Sequence, residues 1–253
     1  MISVEKHDRL TLLRLNHGVT NAINPEMAGI LERELDSLIP DICKERQGLI
    51  LAGGDKFFSM GLDLPAFLML DRPDFSRVWA GFNRILLKLY TLPAPTVCAM
   101  QGHTIAGGAV LALATDFRIG AKGKKQFGMN EVKLGLPIPY ASDLILRQLV
   151  SDSLANQLTY GGTFMTMESL EHSGLMHSVE STDQVESAAI ELLSSFAKNN
   201  GPAFAQIKSF RTQAIAQSYE ANRIKTNEKF KEIWFSPETR EKLQEAAKSF
   251  TRP

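Results

Sequence analysis

Residues 99–119 read AMQGHTIAGGAVLALATDFRI. Thr96 to Met100, which lead into this stretch, suit a short buried strand. Gln101-Gly102-His103 then make a turn, and Gly107-Gly108 open a run to Ala114 that contains no charged residue. A run of that kind reads as a buried helix. Phe117-Arg118-Ile119-Gly120 follows as another short strand. Strand, glycine turn, buried helix and strand in succession predict an α/β fold. The helix start is also a chemical signal. The first N–H groups of a helix have no internal partner and carry partial positive charge, so they suit an anion. Glycine lets that anion approach the backbone.

On either side the pattern continues. Ile2 to Leu15 reads as two strands with a turn near His7-Asp8-Arg9. Asn24-Pro25-Glu26 supplies a cap, a first-turn proline and a first-turn acid, predicting a helix to about Ser37. Gly48 to Ala52 is an unbroken apolar run, a buried strand ending at Gly53-Gly54, and Asp74 to Tyr90 carries helical spacing. Gln126-Phe127-Gly128 is a further short strand. From Ala141 onward the reading is all helical: 142–150, 152–159, 167–172, 183–198, 202–218, 221–234 and 237–250. We therefore expect one domain in two parts, an α/β core over 1–195 and a C-terminal helical region over 196–253, with no Pro/Gly/Ser-rich linker between them.

Composition limits the function. The 253 residues carry 28 Lys and Arg against 28 Asp and Glu, and the only dense basic run, Lys122-Gly123-Lys124-Lys125, reads as a solvated turn. Nucleic acid is not an expected partner. No apolar run approaches the length of a membrane span, and no signal or transit pattern opens the chain. Two cysteines, Cys43 and Cys98, show no metal-ligand or disulfide spacing. The expectation is a cytoplasmic protein without a metal site.

Two further segments carry chemistry. FFSMGLDL, Phe57 to Leu64, places a glycine loop directly after a buried strand. Two glycine loops after two strands suggest two N–H donors converging on one oxygen, an oxyanion hole. FGMNEVKLGLPIP, Phe127 to Pro139, sets Glu131 among Met129, Val132, Leu134 and Leu136. A carboxylate in such company is partly desolvated, which raises its pKa towards acid–base use.

These three segments, in this order and spacing, resemble the crotonase superfamily, also called the enoyl-CoA hydratase/isomerase family. FSMGLDL resembles its F-S-A-G-x-D-L loop, and the opening stretch its G-x-x-x-G-G-G segment with D-x-R-I behind. FGMNEVKLGLPIP resembles its F-x-x-P/N-E-x-x-L-G segment. The resemblance covers nearly the whole chain. It implies a spiral of ββα units with a C-terminal helical trimerisation region. It also implies an acyl-CoA thioester as substrate, a homotrimer or dimer of trimers, and no cofactor beyond the coenzyme A of the substrate. The oxyanion donors map onto the N–H groups of Leu62 and Gly107. Substrate-contacting positions map onto Ser59, Met60, Gly61, Asp63 and Gly108, with the backbone at Ser59 and Met60 on the adenine side.

The departures choose a reaction. Hydratases of the family carry two glutamates; one maps to Glu131 and the other to Val110. The aspartate that dehalogenases and naphthoate synthases place after the turn glycine is absent from Gly135-Leu136-Pro137-Ile138, and Asp143 reads as a cap or surface residue. A single carboxylate fits proton shuttling, as in the family's Δ3,Δ2-enoyl-CoA isomerases, which the tail WFSPETREKLQEAAKSF also resembles. The alternative is a hydratase or other crotonase-type lyase or hydrolase using Glu131 with His103 or Tyr140. A non-catalytic acyl-CoA binder would not need Glu131, and RNA binding lacks a basic helix. Leu64, Phe67, Leu68, Trp79 and Phe82 are candidates for an acyl pocket.

Overall fold

The computed structural model describes residues 1–45, 48–196 and 201–248. It opens with an antiparallel hairpin, β1 (Ile2–His7) and β2 (Leu10–Leu15). Asp8 takes φ +46° in the tight turn between them. Helix α1 (Pro25–Glu45) begins at Asn24, whose Oδ1 accepts from the Met27 N–H at 2.7 Å. It does not stop at Ser37 but runs through Pro40. Leu38 and Ile42 extend the buried stripe of Met27, Leu31 and Leu35, and that burial outweighs the hydrogen bond lost at the proline.

Three units of two strands and a helix follow. The first is β3 (Gly48–Ala52), β4 (Phe57–Ser59) and the helices α2 (Leu64–Leu68) and α3 (Arg72–Thr91). The second is β5 (Thr96–Met100), β6 (His103–Ile105) and α4 (Gly107–Leu113). The third is β7 (Phe117–Ala121), β8 (Gln126–Gly128), a 3₁₀ turn at Glu131–Leu134 and α5 (Tyr140–Leu149). Then come α6 (Asp152–Thr159), β9 (Phe164–Thr166), α7 (Met167–His172), β10 (Ser178–Glu180), α8 (Val185–Phe196), α9 (Gly201–Trp234) and α10 (Pro237–Ala247). The first strand of each unit joins a six-stranded sheet of order β1-β2-β3-β5-β7-β10, and the second joins a four-stranded sheet of order β4-β6-β8-β9. Pairing within each sheet is parallel except for β1 with β2 and β8 with β9. This is the crotonase-like α/β spiral.

The six-stranded sheet is covered on both faces. Val185, Ala189 and Leu193 of α8 pack on Leu12, Ile50, Val97 and Ile119, while α1, α3 and α4 bury the other face. Cover on both sides is why β3 and β5 are apolar without alternation.

Several expectations need correction. Phe57 to Ser59 and His103 to Ile105 are strands rather than loop and turn, and β9 and β10 interrupt the region expected to be all helix. Each has three residues, too few to show a period of two in sequence. The two helices expected over 202–218 and 221–234 are one, α9, because Ser218-Tyr219-Glu220 contains no breaker and Tyr219 is buried. The expected helix ends at Lys198 and Phe250 lie outside the described residues.

α9 packs back on α3 and α5 of its own chain and is fastened at one buried point. Lys208 Nζ, 4% exposed, donates to Asp116 Oδ2 at 2.7 Å and to the Ala94 carbonyl at 3.0 Å. The same Asp116 oxygen accepts from Thr96 N and Oγ1. Burial pushes the Lys208 ammonium below its usual range, and Asp116 opposes that shift. Among the described residues, no helix is long and apolar enough to cross a membrane.

Candidate active site

The loop after β4 is built by its own polar side chains. Ser59 Oγ donates to the Asn21 carbonyl at 2.8 Å and accepts from Gly61 N at 3.1 Å. Asp63 Oδ1 caps α2 by accepting from Ala66 N at 3.0 Å. On one side Ile23 straps the loop: its N–H donates to the Gly61 carbonyl at 2.7 Å, and its carbonyl accepts from Asp63 N at 3.0 Å. Ser59, Gly61 and Asp63 thus shape the backbone, whereas Met60 and Leu62 line a cavity. The Leu62 N–H, between the two strapping bonds, donates to no acceptor among the described residues.

The second loop meets the first at van der Waals distance. Gly61 has φ +92°, and a methyl group on it would lie 2.8 Å from Gly107 N. One on Gly108 would lie 2.6 Å from the Ser59 carbonyl oxygen, which explains that glycine as packing. Gly107 differs: a methyl there would sit 3.3 Å from Gly61 Cα and 3.4 Å from Leu62 N, in the space both loops border. Gly107 N is likewise without an acceptor among the described residues. Ala106, just before it, adopts φ +47° and ψ −118°, a strained conformation for an L residue. The strain directs the chain from β6 into α4 within one residue. The sequence carried a signal for it, since the G-x-x-x-G-G-G pattern has glycine where Ala106 stands.

Both unpaired donors border a cavity of about 390 Å³. Phe57, Met60, His103, Gln126 and Phe164 make its exposed end. Leu64, Trp79, Phe82, Phe230 and Trp234 make its buried end. Of the residues proposed for an acyl pocket, Leu64, Trp79 and Phe82 line it, whereas Phe67 lies in the core behind and Leu68 is not in the lining. The contribution of Phe230, Trp234 and Ala246 was not legible, because nothing in a sequence says where a C-terminal helix docks.

Glu131 enters the same cavity from the start of the 3₁₀ turn. It is 7% exposed, and its Oε2 has no hydrogen-bond partner among the described residues. Burial raises its pKa from the usual 4.5 to about 7, with only a backbone hydrogen bond opposing. Val110, fully buried, lines the cavity without a charge. His103 is the other titratable group there. Its Nδ1 accepts from Gln126 N at 3.2 Å, which leaves Nε2 to carry the proton of the neutral ring. Burial, then Lys125 and Lys56, lower its pKa. Tyr140 is not part of the lining and shares a hydrogen bond with Ser218 Oγ at 2.9 Å. Asp143 is paired with Arg147 on α5.

A spiral of ββα units, two free backbone donors and one buried carboxylate define a crotonase-type site. Residues 5–251 match the family model for enoyl-CoA hydratase/isomerase, and the chain belongs to that family. A carnitinyl-CoA dehydratase of Salmonella paratyphi A is 31% identical over 163 residues, 64% of this chain and 62% of that relative. The human mitochondrial Δ3-Δ2-enoyl-CoA isomerase superposes with a TM-score of 0.93 at 22% identity, covering 98% of this chain and 97% of that one. An enoyl-CoA hydratase from Mycobacterium marinum superposes with a TM-score of 0.81 at 25% identity, covering 90% and 99%.

Two predictions follow from this geometry. Gly107→Ala fits the fold but fills the gap beside Leu62 N, so it keeps the wild-type melting temperature within a few degrees and, if the two N–H groups are the oxyanion donors that the resemblance implies, loses acyl-CoA turnover. Gly108→Ala drives a methyl into Ser59 and lowers the melting temperature instead; a calorimetric scan with a turnover assay separates the two. For Glu131, the folded pKa lies above the ordinary value, so its contribution is fully present below about pH 4.5 and is lost as pH rises through about 7. Above that, the buried anion costs up to about 3 kcal/mol. Urea unfolding from pH 5 to 8 is expected to show the wild type losing stability relative to Glu131→Gln by up to that amount.

Proposed function

We propose that the chain is an isomerase that moves the double bond of a 3-enoyl-CoA thioester to the 2-position. The carrying observation is a lone buried carboxylate, Glu131, in a cavity whose other family acid position is Val110. Ionised Glu131 takes a proton from C2. The electron pair moves through the C3–C4 double bond and the thioester carbonyl to give a dienolate. The Leu62 and Gly107 N–H groups donate to its oxygen, each worth about 2.7–4 kcal/mol at the transition state. Glu131 then returns the proton to C4, leaving the double bond between C2 and C3. A pKa near 7 suits a group that must both accept and give back one proton. Coenzyme A lies over the backbone of Ser59, Met60, Gly61 and Asp63, with Gly108 holding the second loop beneath; no further cofactor takes part.

One observation favours a second reading, hydration of a 2-enoyl-CoA: neutral His103 lines the same cavity and offers an Nε2–H. Incubation with 3-enoyl-CoA and 2-enoyl-CoA and analysis of the products decides between them. Isomerisation faster than hydration is expected, and Glu131→Gln reduces it at least about a hundredfold with little change in CoA affinity. Hydration that matches or exceeds isomerisation in the wild type would establish the second reading.

We also propose a homotrimer or dimer of trimers. On α9, Ala203, Ile207, Phe210, Ala214, Ala221 and Ile224 share an exposed seam at alternating spacings of four and three, interrupted once by Gln217. Ile207, Phe210 and Ile224 are 60%, 73% and 71% exposed, large apolar surface for a lone chain to leave in water. Light scattering at micromolar concentration is expected to give three or six chains; a monomer throughout would overturn this.

A further inference from the structure

The buried end of the cavity has a wall, and the wall has a second hollow behind it. Trp79, Pro139 and Phe230 line the main cavity on one side and a separate hollow of about 280 Å³ on the other. This hollow opens outward between α3, the start of α5 and α9, and Asp143, Asn227 and Lys229 give it a polar rim. The Trp79 and Phe230 rings stack with centroids 3.8 Å apart and planes 17° from parallel. They are 3% and 5% exposed. The Trp79 indole is held by packing, since its N–H has no partner among the described residues.

We propose that the stacked pair Trp79–Phe230 is the stop that sets acyl-chain length, and that the hollow behind it is a closed-off continuation of the acyl channel. This rests on reading the cavity as the acyl-CoA site. The polar nucleotide must stay at the exposed end, beside Met60, His103 and Phe164, so the acyl chain runs towards the aromatic end. The cavity, about 390 Å³ in all, must hold the thioester as well as the acyl chain before the stacked rings are reached. The substrate class is therefore short- to medium-chain acyl-CoA. Longer chains meet the stacked rings. Phe230 is the ring that α9 contributes to the shared wall, so shortening it thins the wall beside Trp79.

The test is calorimetric binding of saturated acyl-CoAs from butanoyl to palmitoyl, which cannot react. Wild-type affinity is expected to rise about fourfold per methylene up to a medium length and then level or fall. In Phe230→Leu the break moves to a longer chain, and in Phe230→Ala further still, with far-ultraviolet circular dichroism confirming that each is folded. A wild-type affinity that climbs unbroken to palmitoyl overturns the stop, whether or not the variants fold. So does a break at the same length in folded variants. Failure of every acyl-CoA to bind removes the acyl-CoA reading and the stop with it. A movable break without 3-enoyl-CoA turnover removes only the isomerase and leaves the stop standing.

Discussion

The structure depends on one close approach, that of the backbone at Gly61 to the backbone at Gly107. Two successive ββα units meet there with no side chain between them. If either loop stood an ångström further away, their free N–H groups would border separate spaces. The surrounding polar bonds serve this contact. Asn21 and Ile23 grip the first loop, Asp63 turns it into α2, and the Ala106 N–H holds the second loop by donating to the Gly128 carbonyl at 2.8 Å. The strain at Ala106 is sustained because those bonds and the buried helix behind it leave the chain no relaxed alternative.

The second constraint is dryness. Burial raises the Glu131 pKa to about 7, and no cation among the described residues opposes that shift. Much of that exclusion comes from far along the chain, since Phe230 and Trp234 on α9 and Ala246 on α10 wall the cavity. Glu131 and the helical tail are thus coupled through the local dielectric rather than through a bond between them. In the proposed reaction the Leu62 and Gly107 N–H groups would gain from the same exclusion, because a hydrogen bond to developing charge is stronger away from water.

Legibility in the sequence followed the range of the interactions. β3, β5, β8, α6 and α7 were read to the residue, because their boundaries are set by local patterns and glycine or serine punctuation. The resemblance to the family's three motifs led to Leu62, Gly107, Val110 and Glu131, which line one cavity, and their roles remain the proposal made above. What escaped was decided at long range. β4, β6, β9 and β10 exist because a neighbouring strand offers hydrogen bonds, not because three residues prefer extension. The strap from Ile23 to the loop at 61–63 crosses nearly forty positions, and the aromatic wall joins Trp79 to Phe230. The positive φ of Ala106 had a trace only in the family pattern, which has glycine at that position; alanine itself gives no sign of it.

The Lys208 anchor bears on the order in which the protein is made. Asp116 and the Ala94 carbonyl lie just before β7 and β5 of the α/β core, yet their ammonium partner comes 92 and 114 residues later in the chain. During synthesis every strand, the last ending at Glu180, precedes residue 208. Through that interval the Asp116 carboxylate keeps its hydrogen bonds from Thr96 but lacks the Lys208 ammonium, and the groove that α9 will fill is open. The nascent core therefore waits in an unfinished state, its apolar α3 face uncovered, until α9 arrives to close it. Maturation ends with a docking event, and the time spent before it is when a chaperone has something to hold.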